Sequence, residues 1–173
     1  MNKRKEGIRI RCYRKSDLEA CRALWHELTE RHREIYDDPT IGGRNPGLRF
    51  DAHLKEIGPE GIWVVEKNDK VVGMMGLIFR AEEVEVEPLV VHREHRGQGI
   101  GTALLEFAVA QAKKMGSTYL CIRPVARNVE AIKLFYRSGF RNIGHVQLFM
   151  DLKKERKRDW KPGLELFDLE FTY

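Results

Sequence analysis

Three glycines at alternate positions, Gly97, Gly99 and Gly101, lie between an apolar run ending at Val91 and a stretch whose apolar residues recur at helical spacing. No other feature of the 173 residues limits the fold as much. Glycine tolerates left-handed backbone and has no Cβ, so the chain can turn sharply and offer its N–H groups to a ligand. A helix that follows adds about half a positive charge at its N-terminus, which suits an anion such as phosphate. Strand, glycine turn and helix in that order predict a layered protein of the α/β kind. Two familiar phosphate loops do not fit. From Gly97 the sixth position of G-x-G-x-x-G is Thr102, and no G-x-x-x-x-G-K-[ST] string occurs.

The rest of the chain reads as alternating elements. Residues 8–13 form a strand pattern. Ser16 and Glu19 stand in the S-x-x-E order of a capping box, and Leu18, Cys21, Trp25 and Leu28 follow at helical spacing. Residues 37–47 are rich in turn formers and predict a loop. Phe50, Leu54 and Ile57 mark a short second helix stopped by Gly58-Pro59. Strand patterns at 62–66 and 71–79 flank Lys67-Asn68-Asp69-Lys70 and predict a hairpin. A third strand covers 84–91, a helix about 101–115, a strand 118–123, a helix 128–138, and further strands 140–143 and 146–152. The alternating tail at 164–171 adds an edge strand or pairs with a second subunit, which would make a homodimer. These elements predict a mixed sheet covered by helices on both faces.

A net charge of +5 raises nucleic acid as a partner, but its distribution argues against one. Residues 1–15 hold seven basic side chains against one acidic, and residues 153–161 hold six against two. The remainder is therefore acidic, which suits an amine better than a phosphate backbone. Apolar runs such as 71–79 fall far short of the roughly 20 residues of a membrane helix. The basic N-terminal residues lack the apolar stretch of a secretory signal, so the expectation is a cytoplasmic protein. Cys12, Cys21 and Cys121 form no C-x-x-C and read as reduced, mostly buried thiols. The six histidines show no metal-ligand spacing, so no metal is expected. His92 and His95 flank the glycine loop and either line it or lie on the surface.

The string Arg96-x-x-Gly99-x-Gly101, set between strand and helix and followed by Asn128-x-x-Ala131 and Gly139-Phe140, resembles the pyrophosphate signature of the GNAT superfamily of acyl-CoA-dependent N-acetyltransferases. The resemblance spans about residues 8–152. It implies an α/β (α+β) fold with a mixed central sheet of about seven strands, helices on both faces and two splayed central parallel strands. It implies one N-acetyltransferase domain over 1–173, with a core at about 8–152 and an extension at 153–173. Acetyl-CoA is the implied co-substrate. Its pyrophosphate would sit on the backbone N–H groups of Arg96, Gly97, Gln98, Gly99, Ile100, Gly101 and Thr102, beside the fixed cation of Arg96. Val91 matches the residue whose backbone pairs with pantetheine, and Leu89 the one whose N–H polarises the acetyl carbonyl. Pro88 has no N–H, which is consistent with a bulge there. Asn128 matches an asparagine near the pantetheine arm and also suits an ordinary helix N-cap.

An amine acceptor needs a base. Glu85 and Glu87 alternate with Val84 and Val86, so both carboxylates face the same side of the strand. Either is a candidate base, and either is equally a solvated residue on a strand face. The family often places an acidic tyrosine seven residues after the asparagine, where this chain has Phe135. Tyr136, about 100° further round the helix, is then either the general acid or a partly buried aromatic beside Ile132. The implied reaction is acetyl transfer to a primary amine of a small molecule or peptide by direct attack in a ternary complex. Acetylation of a protein N-terminus or lysine, and a non-catalytic acyl-CoA sensor touching nucleic acid, are the alternatives.

Overall fold

Asn68 and Asp69 both adopt left-handed backbone, with φ of 50° and 58°, and so close the tight turn that joins two antiparallel strands. These are β2 (Ile62–Lys67) and β3 (Lys70–Phe79). The computed structural model describes residues 7–80, 82–152 and 159–173. They fall into two compact units, one ending at Pro124 and one beginning at Val125.

In the first unit the sheet has the order β1-β2-β3-β4-β5, with β1 at Arg9–Cys12, β4 at Glu83–Val91 and β5 at Tyr119–Ile122. Only β4 and β5 run parallel; the other neighbours are antiparallel. The period-2 alternation separates two cores. Val65, Met75, Leu77, Val84 and Val86 pack against Ile100, Leu104, Ala108 and Ala112 of α3 (Ile100–Lys114). Ile62, Val64, Met74 and Val90 face the opposite way, onto Cys21 and Leu24 of α1 (Leu18–Tyr36) and Phe50 of α2 (Arg49–Ile57). Helices therefore cover both faces, as the patterning predicts.

The start of α1 differs from the S-x-x-E expectation. One 3-10 turn at Lys15–Asp17 precedes the helix, and the cap is Asp17. Its carboxylate accepts the Arg14 N–H at 2.7 Å and takes two hydrogen bonds from Arg11 of β1, at 2.7 and 2.9 Å. That guanidinium holds the Asp17 carboxyl below its ordinary range. Asp17 thus holds the N-cap position without a side-chain capping bond, and its carboxylate ties the preceding turn to β1 instead.

The second unit contains α4 (Val129–Arg137) and a hairpin of β6 (Leu164–Leu166) and β7 (Leu169–Phe171). The tail thus pairs with itself. Residues 140–143 and 146–152 form no strand, and Ile143, Leu148 and Met150 are exposed. The main sheet accordingly has five strands rather than about seven. Alternation sets a side-chain period, but a strand also needs a neighbouring backbone to pair with.

Candidate functional site

The site begins where β4 parts from β5. Their parallel register runs from Glu83 opposite Tyr119 to Val86 opposite Ile122, and β4 continues to Val91 beyond it. At the same place the ladder to β3 slips. Met75 pairs with Leu89 and Leu77 with Val86, so three steps on β4 match two on β3. The extra residue lies at Glu87-Pro88, where proline cannot donate to a ladder. Gly76 stands opposite, and a Cβ there would collide with the Glu87 carbonyl oxygen.

Beyond the bulge the direction of the backbone is fixed by one bond. The His92 N–H donates to Val72 O at 2.9 Å. In an antiparallel ladder alternate residues bond to the same side, so Val90 also faces β3. Leu89 and Val91 then turn their N–H and C=O groups the other way, into the gap left by β5. The splayed edge expected of 84–91 and 118–123 is present.

The glycine loop continues from this edge. A 3-10 turn at Arg93–His95 leads to Gly97 and Gly99, whose φ values of 73° and 77° require the left-handed region. Gly101 already lies inside α3. The first helical bond runs from Ala103 N–H to Gly99 O, so the N–H groups of Ile100, Gly101 and Thr102 precede the ladder at the positive end of the helix. The Ile100 side chain is buried and only its backbone faces the loop. Gln98 donates to Glu94 O at 3.1 Å and accepts from Lys67 Nζ at 2.8 Å, which ties the loop to the β2–β3 turn.

Arg96, expected as a fixed cation beside the loop, is held by two partners. Its Nε donates to Val91 O at 2.9 Å and its Nη2 to Glu27 Oε1 at 2.6 Å. The guanidinium is a strut between β4 and α1, although 44% of the side chain remains exposed.

The two glutamates of β4 have different surroundings. Glu85 is 3% exposed and ion-paired with Arg123 and, at 3.4 Å, with Arg80. The bond to Glu85 is the main reason that Arg123 holds its proton even more firmly than usual. Glu87 is exposed and forms no ion pair with the described residues. It lies on the α2 side, where its charge acts on His53. Burial pulls the His53 imidazole below its ordinary value, and the Glu87 charge opposes that pull. Nε2 of His53 is buried without a well-formed hydrogen bond, while the ring packs 5.1 Å from that of Trp25.

Within the second unit, Asn128 caps α4 by accepting the Ala131 N–H at 3.3 Å. Phe135 is buried, with its ring 6.2 Å from that of Phe140. Tyr136 is 56% exposed, with the Arg141 guanidinium 5.1 Å from its ring centroid. Of the two readings of Tyr136, the partly buried aromatic beside Ile132 is the one that this exposure corrects: the 100° step from Phe135 carries the side chain outward.

Cys12 is exposed, contrary to expectation, and Cys121 is half-buried. Burial pushes the Cys21 thiol up to about 12, which leaves no thiolate at neutral pH. Among the described residues, no group of three His, Cys, Asp or Glu side chains is placed to hold a metal ion. No helix among them is long and apolar enough to cross a membrane.

Residues 20–140 match the model of the acetyltransferase (GNAT) family. The chain belongs to that family. Human N-acetyltransferase 8B is 30% identical over 128 residues, which cover 70% of this chain and 52% of that protein. The chain spans about half the length of the curated relatives it matches. Among solved structures, a GNAT-family acetyltransferase of Staphylococcus aureus aligns with a TM-score of 0.66 at 19% identity, over 87% of this chain and 95% of its own. AAC(6')-Iy, solved with the bisubstrate analogue CoA-S-monomethyl-acetylneamine, aligns with a TM-score of 0.60 at 14% identity, over 83% and 97%.

For a GNAT-family chain, the glycine loop and the bulge were legible as local strings, and the splayed edge followed from the family resemblance. The partners of Arg96 and Glu85 were not legible. Glu27 lies 69 positions before Arg96, and Arg123 lies 38 after Glu85. No local pattern marks either residue.

Proposed function

We propose that this GNAT-family chain transfers the acetyl group of acetyl-CoA to a primary amine of a small molecule or peptide, by direct attack in a ternary complex. One observation carries the reading. The edge of β4 that β5 leaves, at the Leu89 N–H and C=O and the Val91 N–H, runs straight into a loop whose N–H groups lie at a helix N-terminus, the Val91 carbonyl being held by Arg96. An extended amide-bearing arm fits the first and a pyrophosphate the second. Both belong to one ligand, and their sites follow one another along the chain as the arm and the pyrophosphate do along the ligand. The whole of residues 1–173 is taken as a single catalytic domain.

In this reading the backbone of residues 96–102 holds the pyrophosphate, and Val91 pairs with the pantetheine arm. The Leu89 N–H, aimed into the same gap, stabilises negative charge on the acetyl oxygen. Asn128 keeps its role as the cap of α4, and the family resemblance assigns it to the pantetheine arm. An alkyl ammonium of pKa ~10.4 costs about 4.6 kcal/mol to deprotonate at pH 7, so a base is needed. Glu87 fits that role better than Glu85. It is exposed and has no cation among the described residues to compete for its lone pairs, whereas the Glu85 carboxylate is held by two arginines. Expelling a thiol of pKa ~8.5 as thiolate costs only about 2 kcal/mol. The general acid assigned to Tyr136 therefore contributes less than the base does.

The deciding experiment is release of free thiol from acetyl-CoA across a panel of polyamines, amino acids, aminoglycosides and peptides. Amine-dependent release with a defined acceptor supports the reading. Absence of acetyl-CoA binding at millimolar ligand overturns it.

A further inference from the structure

The geometry points to Glu27 as a positioning residue for the coenzyme loop, an inference that rests on the acetyl-CoA reading above. Glu27 sits in α1, with 18% of its side chain exposed. Its Oε1 accepts the Arg93 backbone N–H at 2.7 Å and Arg96 Nη2 at 2.6 Å. Its Oε2 lies 3.7 Å from His92 Nε2. One carboxylate on one helix therefore grips both ends of the turn that precedes the glycines. Arg96 extends the grip to β4, because its Nε holds the Val91 carbonyl oxygen. The chain that presents Val91 to the arm and the chain that presents Gly97 to the phosphate are joined through Glu27.

A carboxylate near a phosphate site has two effects of opposite sign. It neutralises Arg96 and repels the phosphate, which weakens binding. It also fixes the loop before the ligand arrives, which strengthens binding. The second effect outweighs the first here. Phosphate is held by backbone N–H groups, and their direction is set by the loop conformation. The bonds that Glu27 makes are short, charge-assisted and partly shielded. Repulsion across the loop is screened by solvent and salt. Loss of Glu27 should therefore weaken coenzyme binding, although it removes a negative charge from an anion site.

The test compares Glu27→Ala and Glu27→Gln with the wild-type chain, reading the Kd for CoA by calorimetry and steady-state kinetics against a reactive amine. For Glu27→Ala we expect Kd for CoA and KM for acetyl-CoA to rise about tenfold, with kcat and the amine KM within about twofold. Glu27→Gln keeps a neutral acceptor for Arg93 and Arg96, so most of the loss should be recovered. Binding by either variant as tight as wild type or tighter overturns the role of Glu27, and so does a fall in kcat with the acetyl-CoA KM unchanged. If Glu27→Ala does not fold, a rise of about two- to threefold for Glu27→Gln supports the role and an unchanged Kd overturns it. A wild-type chain that does not bind CoA overturns the coenzyme reading itself, an outcome distinct from all of these.

Discussion

Glu85, buried in β4, is ion-paired with Arg123 just beyond the last residue of β5. The pair bridges the two strands at the point where their ladder stops, since Val86 opposite Ile122 is the last register position. A buried carboxylate held by two guanidinium groups anchors the two strands at the base of the gap, and Glu87, which is exposed, is the one we propose as the base.

The two glutamates should therefore separate under mutation. Glu87→Gln is expected to lower kcat/KM by about 10² at pH values below the amine pKa, with little change in melting temperature. Glu85→Gln should instead destabilise the fold by about 1–3 kcal/mol, because it removes the buried charge partner of Arg123 and Arg80 and leaves them only the more exposed Glu83. A pH–rate profile and a thermal melt of each variant distinguish the roles. An unchanged profile for Glu87→Gln removes it from the mechanism.

Gly99 must adopt a φ of 77°, which a β-branched residue cannot do without strain. Gly99→Val is expected to abolish the rise in melting temperature that acetyl-CoA gives the wild type. Differential scanning fluorimetry with and without ligand reads this directly. Retained stabilisation would reject the loop as the pyrophosphate site.

Stability should depend on pH through His53. Its folded-state pKa is lowered, chiefly by burial, so the unfolded chain binds a proton more readily. The contribution is present above about pH 6.5, the ordinary histidine value, and is lost as pH falls through the lowered folded value. His32 is shifted in the same direction by burial alone. Urea melts between pH 7 and 5 should show falling stability. The fall should be shallower in His53→Gln than in wild type, and His32→Gln should remove a further part of it. Parallel slopes in all three would exclude both residues.

Tyr136 is exposed at the outer face of α4, and thiolate departure is the less costly proton step. Tyr136→Phe is expected to reduce kcat by less than about tenfold and to leave acetyl-CoA KM unchanged. Steady-state kinetics at saturating amine decide it. A loss near 10³ would make the hydroxyl a principal acid.

What could be read from the order of residues is what local chemistry controls. Gly97 and Gly99 announce left-handed backbone, Pro88 a broken ladder and Asn68-Asp69 a tight turn, because each acts within a few bonds. The apolar alternation at 84–91 and the helical spacing after Gly101 divide the two faces of the sheet for the same reason. What the folded chain alone decided are contacts between residues distant in sequence. Arg96 is paired with Glu27, Glu85 with Arg123, and the Asp17 carboxylate with Arg11 of β1 rather than with the α1 backbone. Whether 140–152 became a strand likewise depended on a neighbouring backbone. Side-chain type states what a residue can bond to, but only the path of the chain brings a partner within 3 Å.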